Sequence, residues 1–245
     1  MEIRNDRLIL EPIEILMIDT ERKSLSFGQK IPSKTVSTFS QFQQIVEMLK
    51  HPNTIEDEKL RKRFEGIKVV IVDSFSRLTF RLYQQLKEHG YKGYAIWDEY
   101  KMVLQYLLLD FQCPNKLFVY IGHDMVIQDN DCIDRKTVAV DGQLKGKIEE
   151  FFTNVFYSTF NRAVAERSQA YQFHTNTDGY NSAKTAIGLF DELTIPNNLG
   201  LICGKLINYY SKGNLDEFNI SPILIYGKSS TGKTASIRGL LDENI

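Results

Sequence analysis

The octapeptide Gly227-Lys228-Ser229-Ser230-Thr231-Gly232-Lys233-Thr234 constrains this chain more than any other stretch. It fits G-x-x-x-x-G-K-[ST], a loop that works only between a buried strand and a helix. Both flanks are legible. Ile223-Leu224-Ile225-Tyr226 is a short apolar run of the kind that forms a buried strand, and 235–241 reads as a helix. Gly227 and Gly232 allow a tight curl that a side chain would block. The curled amides then face inward as an anion nest at a helix N-terminus. In such a loop Lys233 reaches the β- and γ-phosphates and the Thr234 hydroxyl ligates Mg²⁺. Lys228, Ser229, Ser230, Thr231 and Ala235 supply the rest of the phosphate-facing backbone. The pattern therefore implies nucleotide phosphate binding. Only 235–245 follow it, so the strands that surround such a loop are expected upstream.

Three upstream runs have the required character. Ile15-Leu16-Met17-Ile18 is a buried strand that ends in Asp19-Thr20-Glu21. Carboxylates in that position are what an open α/β sheet offers to a ligand crevice. Ile67-Lys68-Val69-Val70-Ile71-Val72-Asp73 is apolar, β-branched and closes on a carboxylate, the Walker B pattern; Asp73 would then hold Mg²⁺ or its water shell opposite Thr234. Lys116-Leu117-Phe118-Val119-Tyr120-Ile121-Gly122-His123 is the next strand and ends on a polar residue, with His123 the candidate γ-phosphate sensor. Helices are expected over 37–49, 55–64, 78–87, 95–111, 148–152 and 198–210. Further strands are expected over 135–140, 154–160 and 171–175, the last two antiparallel to each other. Residues 1–12 read as a polar lead-in, and 24–36, 124–134 and 181–190 as loops. The connector 211–221 is polar and leads into the 223–226 strand.

Composition excludes more than it selects. At 245 residues, 42% apolar and 25% charged, the chain has a globular protein's balance and enough length for a substantial core. Apolar runs are too short to span a bilayer, and Met1-Glu2-Ile3-Arg4-Asn5-Asp6 has no signal-peptide character, so no membrane partner and a cytoplasmic location are expected. A net charge of −1 gives no global attraction to nucleic acid, so any such contact needs a local patch. Cys113, Cys132 and Cys203 are odd in number and far apart, which suits a reducing compartment and suggests neither disulfides nor a metal knuckle.

The order of these pieces resembles the RecA-like ATPases. Ile18-Asp19-Thr20-Glu21 is similar to their IDxE segment, Val70-Ile71-Val72-Asp73-Ser74 to their Walker B strand, and Ile121-Gly122-His123 lies where their sensor strand ends. A closer likeness is to phage-encoded RecA-like ATP-binding proteins of recombination and single-strand annealing. It runs through 16–27, 69–77, 118–124 and 223–240. It also takes in 171–210, with Ala183-Lys184-Thr185, Gly188-Leu189-Phe190 and Ile207-Asn208-Tyr209-Tyr210. In that family the phosphate-loop strand comes first; here it comes last. Joining the C-terminus to the N-terminus restores the family order, with 211–221 as the linker between the former ends. The resemblance thus implies a single α/β P-loop domain over 1–245. It would have a RecA-like, mostly parallel sheet flanked by helices, an added antiparallel hairpin, and a circularly permuted order. The core would span 1–210 and the phosphate-loop strand and helix 222–245. A circular genome opened within the gene would give the same order. In either case the loop at 227–234 is expected to pack beside Asp19 and Asp73.

What the resemblance implies for activity is Mg²⁺-dependent ATP binding and hydrolysis. Glu21 would orient and deprotonate the attacking water, His123 would sense the γ-phosphate, and Lys184 would act in trans from a neighbouring subunit of a ring or filament. Single-stranded DNA would meet 88–97 and 124–136, although Asp124, Asp129, Asp131 and Asp134 outnumber Arg135 and Lys136 there. Phage recombination or replication proteins would be the other partners, in the bacterial host cytoplasm. Two further readings stay open: a nucleotide-switched interaction module with little turnover, and a small-molecule kinase, which would need an arginine-rich lid that the sequence does not display.

Overall fold

The continuous apolar runs become strands that are covered on both faces, which is why they do not alternate with polar residues. The computed structural model describes residues 1–22, 31–110, 113–128 and 134–242. In chain order the first elements are β1 (Glu2–Arg4), β2 (Arg7–Ile9), β3 (Ile15–Asp19), β4 (Ser33–Thr35), α1 (Phe39–Lys50), α2 (Glu58–Gly66), β5 (Val69–Asp73) and α3 (Phe75–Glu88). There follow α4 (Tyr94–Gln105), β6 (Leu117–Gln128), β7 (Asp134–Val138), β8 (Asn154–Phe160), α5 (Arg167–Ala170), β9 (Tyr171–His174), β10 (Thr194–Pro196), α6 (Leu199–Ser211) and β11 (Ile223–Gly227). A 3-10 helix over Thr234–Leu240 follows β11.

The protein is α/β, with a nine-stranded, mostly parallel sheet in the order β10-β9-β8-β11-β6-β5-β3-β4 and β7 paired to β6. From β8 to β4 the six neighbouring strands are parallel. β9 is antiparallel to β8, as the sequence suggests, and β10 is antiparallel to β9. One face of the sheet buries Ile18, Val70, Val72, Tyr120, Leu224 and Tyr226 against residues of α1, α3 and α4 such as Phe42, Leu78 and Tyr100. The opposite face buries Met17, Ile71, Val119, Phe156 and Ile225 against Ile202 and Leu206 of α6 and Ile237 and Leu240 of the 3-10 helix. Each such side chain contributes about 1.5–3 kcal/mol when fully buried. Among the described residues no helix is long and apolar enough to cross a membrane.

Several segments differ from the sequence reading. Residues 1–12 are not a lead-in: β1 and β2 form an antiparallel hairpin, and Leu8 and Leu10 are fully or almost fully buried. The loop at 24–36 includes β4, which pairs with β3, while 23–30 lie outside the described residues. The strand ending at His123 runs on to Gln128 and returns as β7, so 124–128 and 134–138 are a β-hairpin rather than a loop; 129–133, with Asp129 and Asp131, lie outside the described residues. The helix expected over 95–111 ends at Gln105 and gives way to a π turn over Tyr106–Asp110. The helix expected over 148–152 is 3-10, Ile148–Phe151. The helix after the octapeptide is also 3-10. Its sequence, Thr-Ala-Ser-Ile-Arg-Gly-Leu, mixes the helix formers Ala, Arg and Leu with Thr, Ser and Gly, which favour the α-helix less. Its first turn is shared: the Ser236 amide donates to Gly232 O at 3.0 Å and to Lys233 O at 3.3 Å.

Candidate phosphate-binding site

The register brings the chemically active residues to one edge. Asp19 stands opposite Asp73, Asp73 opposite Ile121, His123 opposite Gly227, and Gly227 opposite Ser158. All lie toward the carboxyl end of the parallel pairing, where open α/β sheets place their ligands. β11 is central in this edge, with β8 on one side and β6 on the other.

The loop that leaves β11 is held from below and from the side. Lys233 is 7% exposed, and its Nζ donates to Gly227 O at 2.7 Å and to Lys228 O at 2.8 Å, closing the curl across its base. The Thr231 hydroxyl donates to Lys228 O at 2.8 Å. Thr231 O accepts from Ser158 Oγ at 2.8 Å and from Asn197 Nδ2 at 3.2 Å, so that carbonyl is turned toward β8 and the segment after β10. Ser230 and Gly232 have positive φ, 65° and 83°, which reverses the chain within the loop. A Cβ on Gly232 would stand 2.9 Å from the Tyr171 ring. The amides of Ser229, Ser230 and Gly232 meet no acceptor among the described residues. The carbonyls of Gly227, Lys228 and Thr231 are engaged by Lys233, Ser158 and Asn197, and unengaged amides beside them are what an anion-binding nest requires.

Opposite the loop stands a connected polar cluster. Thr234 Oγ1 donates to Asp73 Oδ2 at 2.6 Å, a contact between residues 161 apart in sequence. Burial raises the Asp73 carboxyl above its ordinary range. The Thr234 hydrogen bond and the positive charges of Lys233 and His123 pull it down, while the Glu21 charge adds to the rise. Glu21 Oε1 accepts from Ser74 Oγ at 2.8 Å and lies 2.8 Å from His123 Nε2, with the carboxylate the acceptor. Asp19 is used differently. Its Oδ1 accepts the Glu21 and Arg22 amides, both at 2.8 Å, in a turn that sets the direction of Glu21. The Thr20 amide donates to Asp73 O at 2.8 Å, and the Ser74 amide donates to Thr20 Oγ1 at 2.9 Å, stitching the ends of β3 and β5 together. The Asp73–Ser74 peptide is cis.

Lys233, Thr234, Asp73, Glu21 and His123 are therefore brought together, and the loop packs on Asp73 directly, with Asp19 one strand further away. Lys184 is not part of this cluster. Its backbone pairs with Val155, opposite Leu224 and three residues before the level of Gly227, or about 10 Å along the strand. Ser74, Ser158, Asn197 and Tyr171 are supporting residues that the sequence reading did not single out. Ser74 follows Asp73 directly, so position alone could have nominated it, whereas Ser158 lies within an expected strand, two residues before its end.

The donor set suits a hard divalent cation. One hydroxyl and one carboxylate oxygen are few ligands, as Mg²⁺ prefers when phosphate oxygens and water complete its octahedron. Comparisons with family models, with curated proteins and with solved structures returned no match.

Proposed function

We propose that the 227–234 loop binds the phosphates of a nucleoside triphosphate, ATP in the first instance, and that the chain hydrolyses it with Mg²⁺. The observation that carries this reading is the 2.6 Å contact between Thr234 Oγ1 and Asp73 Oδ2. It joins the last residue of the loop motif to the carboxylate at the end of the apolar strand motif, a pairing with no structural need for those two sequence patterns. Thr234 and Asp73 would hold Mg²⁺, which when bound neutralises charge on the phosphate oxygens. Lys233 is fixed at the floor of the loop by Gly227 O and Lys228 O, where its charge would attract a bound phosphate. Glu21 is aimed by the Asp19 turn and held by Ser74 and His123, as a base that orients water has to be. His123 touches that base, so in this reading it couples Glu21 to the phosphate site.

The RecA-like, phage-type character and the permuted order belong to the same proposal. They are supported by the position of β11 between β8 and β6 and by the meeting of chain ends: the Leu10 amide donates to Leu240 O at 2.7 Å. A role in recombination or annealing, with single-stranded DNA and a homo-oligomer as partners, rests on the resemblance. Arg135 Nη2 donates to Ser182 Oγ, and Lys136 Nζ lies 5.2 Å over the Tyr157 ring, so both cations of the 124–136 segment already have partners within the chain. Lys184 enters this reading only as a residue offered to a neighbouring subunit.

A second reading has its own observation. Glu21 Oε1 is engaged by both Ser74 and His123, which would hold the base away from water and favour a nucleotide-switched module with slow turnover. ATP binding and phosphate release by wild type, Lys233→Ala and Glu21→Gln separate the two. Lys233→Ala should lose binding. Glu21→Gln should keep binding and lose at least 10²-fold in turnover, the scale of a general base. Unchanged turnover in Glu21→Gln removes that residue from the role, and tight binding with negligible wild-type turnover selects the switch.

A further inference from the structure

Side chains on a strand alternate between faces, so Phe156, Ser158 and Phe160 of β8 point to the same side of the sheet. Phe156 is buried in the core beneath the 3-10 helix, and Ser158 holds Thr231 of the loop. Phe160 therefore emerges on the loop's own face, two residues and about 7 Å beyond that staple. On β9, Phe173 is buried in the same core and Tyr171 lies two residues away, again on the loop's face. Phe160 pairs with Tyr171 in register, and their ring centroids are 4.9 Å apart at 58°.

These two aromatic residues differ from the buried Phe156–Phe173 pair deeper in the sheet. Tyr171 is pressed against Gly232, where any side chain on the loop would meet its ring. Phe160 is 41% exposed and finishes the row in the open. A large apolar ring left half in solvent gains little for the fold. A ring joined through its neighbour to the phosphate loop is instead placed to meet whatever extends from the phosphates.

We propose that Phe160, backed by Tyr171, is the platform on which the base of the bound nucleotide stacks. The inference rests on the phosphate reading of the 227–234 loop and adds the other end of the ligand. The chemistry required of that ligand is a flat aromatic heterocycle attached to a polyphosphate; a polyphosphate alone would use the loop but not the platform.

The test separates the two ends. Wild type, Phe160→Ala and Phe160→Trp are titrated calorimetrically with Mg²⁺–ATP and with Mg²⁺–tripolyphosphate. Stacking on an aromatic side chain is worth about 1–3 kcal/mol per base, so Phe160→Ala should weaken ATP roughly 5- to 150-fold. Its tripolyphosphate affinity should stay at the wild-type value, which also certifies that the variant is folded. Phe160→Trp should restore ATP binding, and its indole fluorescence should change with ATP but not with tripolyphosphate. Equal ATP affinity in wild type and Phe160→Ala overturns the platform, as does a parallel loss of both ligands. A wild type that binds tripolyphosphate as tightly as ATP overturns the platform and leaves the phosphate reading standing; one that binds neither overturns both.

Discussion

Gly200→Ala should destabilise this protein, although glycine-to-alanine in a helix ordinarily does the opposite. Gly200 lies in the first turn of α6, where alanine would gain at most about 1 kcal/mol in helix propensity. The space argues the other way. A Cβ at Gly200 would stand 2.0 Å from Gly239 O, 2.7 Å from Gly239 C and 2.9 Å from Arg7 Cγ. The first two are backbone atoms of the 3-10 helix that follows the 227–234 loop, and they cannot rotate away. Relief requires α6 and that helix to separate, against the burial of Ile202, Leu206, Ile237 and Leu240 between them. Overpacking of this kind costs about 1–3 kcal/mol, and a clash with backbone belongs at the upper end. Less the propensity gain, the net loss is about 2 kcal/mol, a fall in Tm of roughly 4–8 °C for a chain of this size. Gly66→Ala is the matched control. Gly66 ends α2, a Cβ there meets nothing within 4 Å, and the change should be neutral or gain a few tenths of a kcal/mol. Urea and thermal unfolding of the two variants beside wild type decide the matter. A Gly200→Ala protein as stable as Gly66→Ala would refute the close-packing argument.

Removing the Asp73 charge should stabilise the protein without ligand. Burial raises its carboxyl pKa above the unfolded value of 3.8, so the folded state holds the proton more tightly, and ionisation withdraws stability as pH rises through the folded pKa. Asp73→Asn should therefore melt above wild type near pH 7 in the absence of metal and nucleotide, with the gap closing as pH falls toward 4; a gap that widens on acidification contradicts the sign. On the proposed function the same variant should lose Mg²⁺-dependent ATP binding, and that pair of outcomes would mark a site where stability is traded for function. Arg7→Ala should cost about 2 kcal/mol, because charge-assisted hydrogen bonds to Gly239 O (2.5 Å) and Leu241 O (2.7 Å) disappear from the end of the 3-10 helix. Arg7→Lys should recover only part of that in the same melts, since a single ammonium does not reproduce the guanidinium fork.

The centre of the sheet was legible because its physics is local. Three runs with continuous apolar character and a polar last residue become β3, β5 and β6, and the register aligns their ends with the loop after β11. The edges were less legible, since their strands have three residues and little periodicity to read. β4 is Ser-Lys-Thr and β10 is Thr-Ile-Pro, and β2 of the separate β1–β2 hairpin is as short, Arg-Leu-Ile. One signal was present and passed over: Asn5-Asp6 sits between β1 and β2 with φ of 51° and 61°, the signature of a tight hairpin turn. The supporting residues of the site could not have been ranked from sequence. Ser158 and Asn197 matter because they share one carbonyl, Thr231 O, and that convergence exists only in three dimensions. The chemistry-bearing residues were visible because motifs record what a ligand demands of local sequence; their supports answer only to the geometry of this sheet.

The same distinction explains how the loop after β11 can join a sheet whose other described strands all come before it. Each contact in the cluster is lateral, from one strand end to the next: Thr234 to Asp73, Ser74 to Glu21, Glu21 to His123, Ser158 to Thr231. None depends on which strand follows which in the chain. The far end of the 3-10 helix is held by side-chain and backbone hydrogen bonds. Arg7 binds the carbonyls of Gly239 and Leu241, and the Leu10 amide binds Leu240 O. Gly200 and Gly204 let α6 close on that helix and on the β1–β2 turn without side chains between them. The connectivity of this chain and the geometry of its site are thus set by different interactions. Substitutions at Arg7 or Gly200 should lower stability and loop order together, and those at Glu21 or His123 should leave the melting temperature nearly where it was.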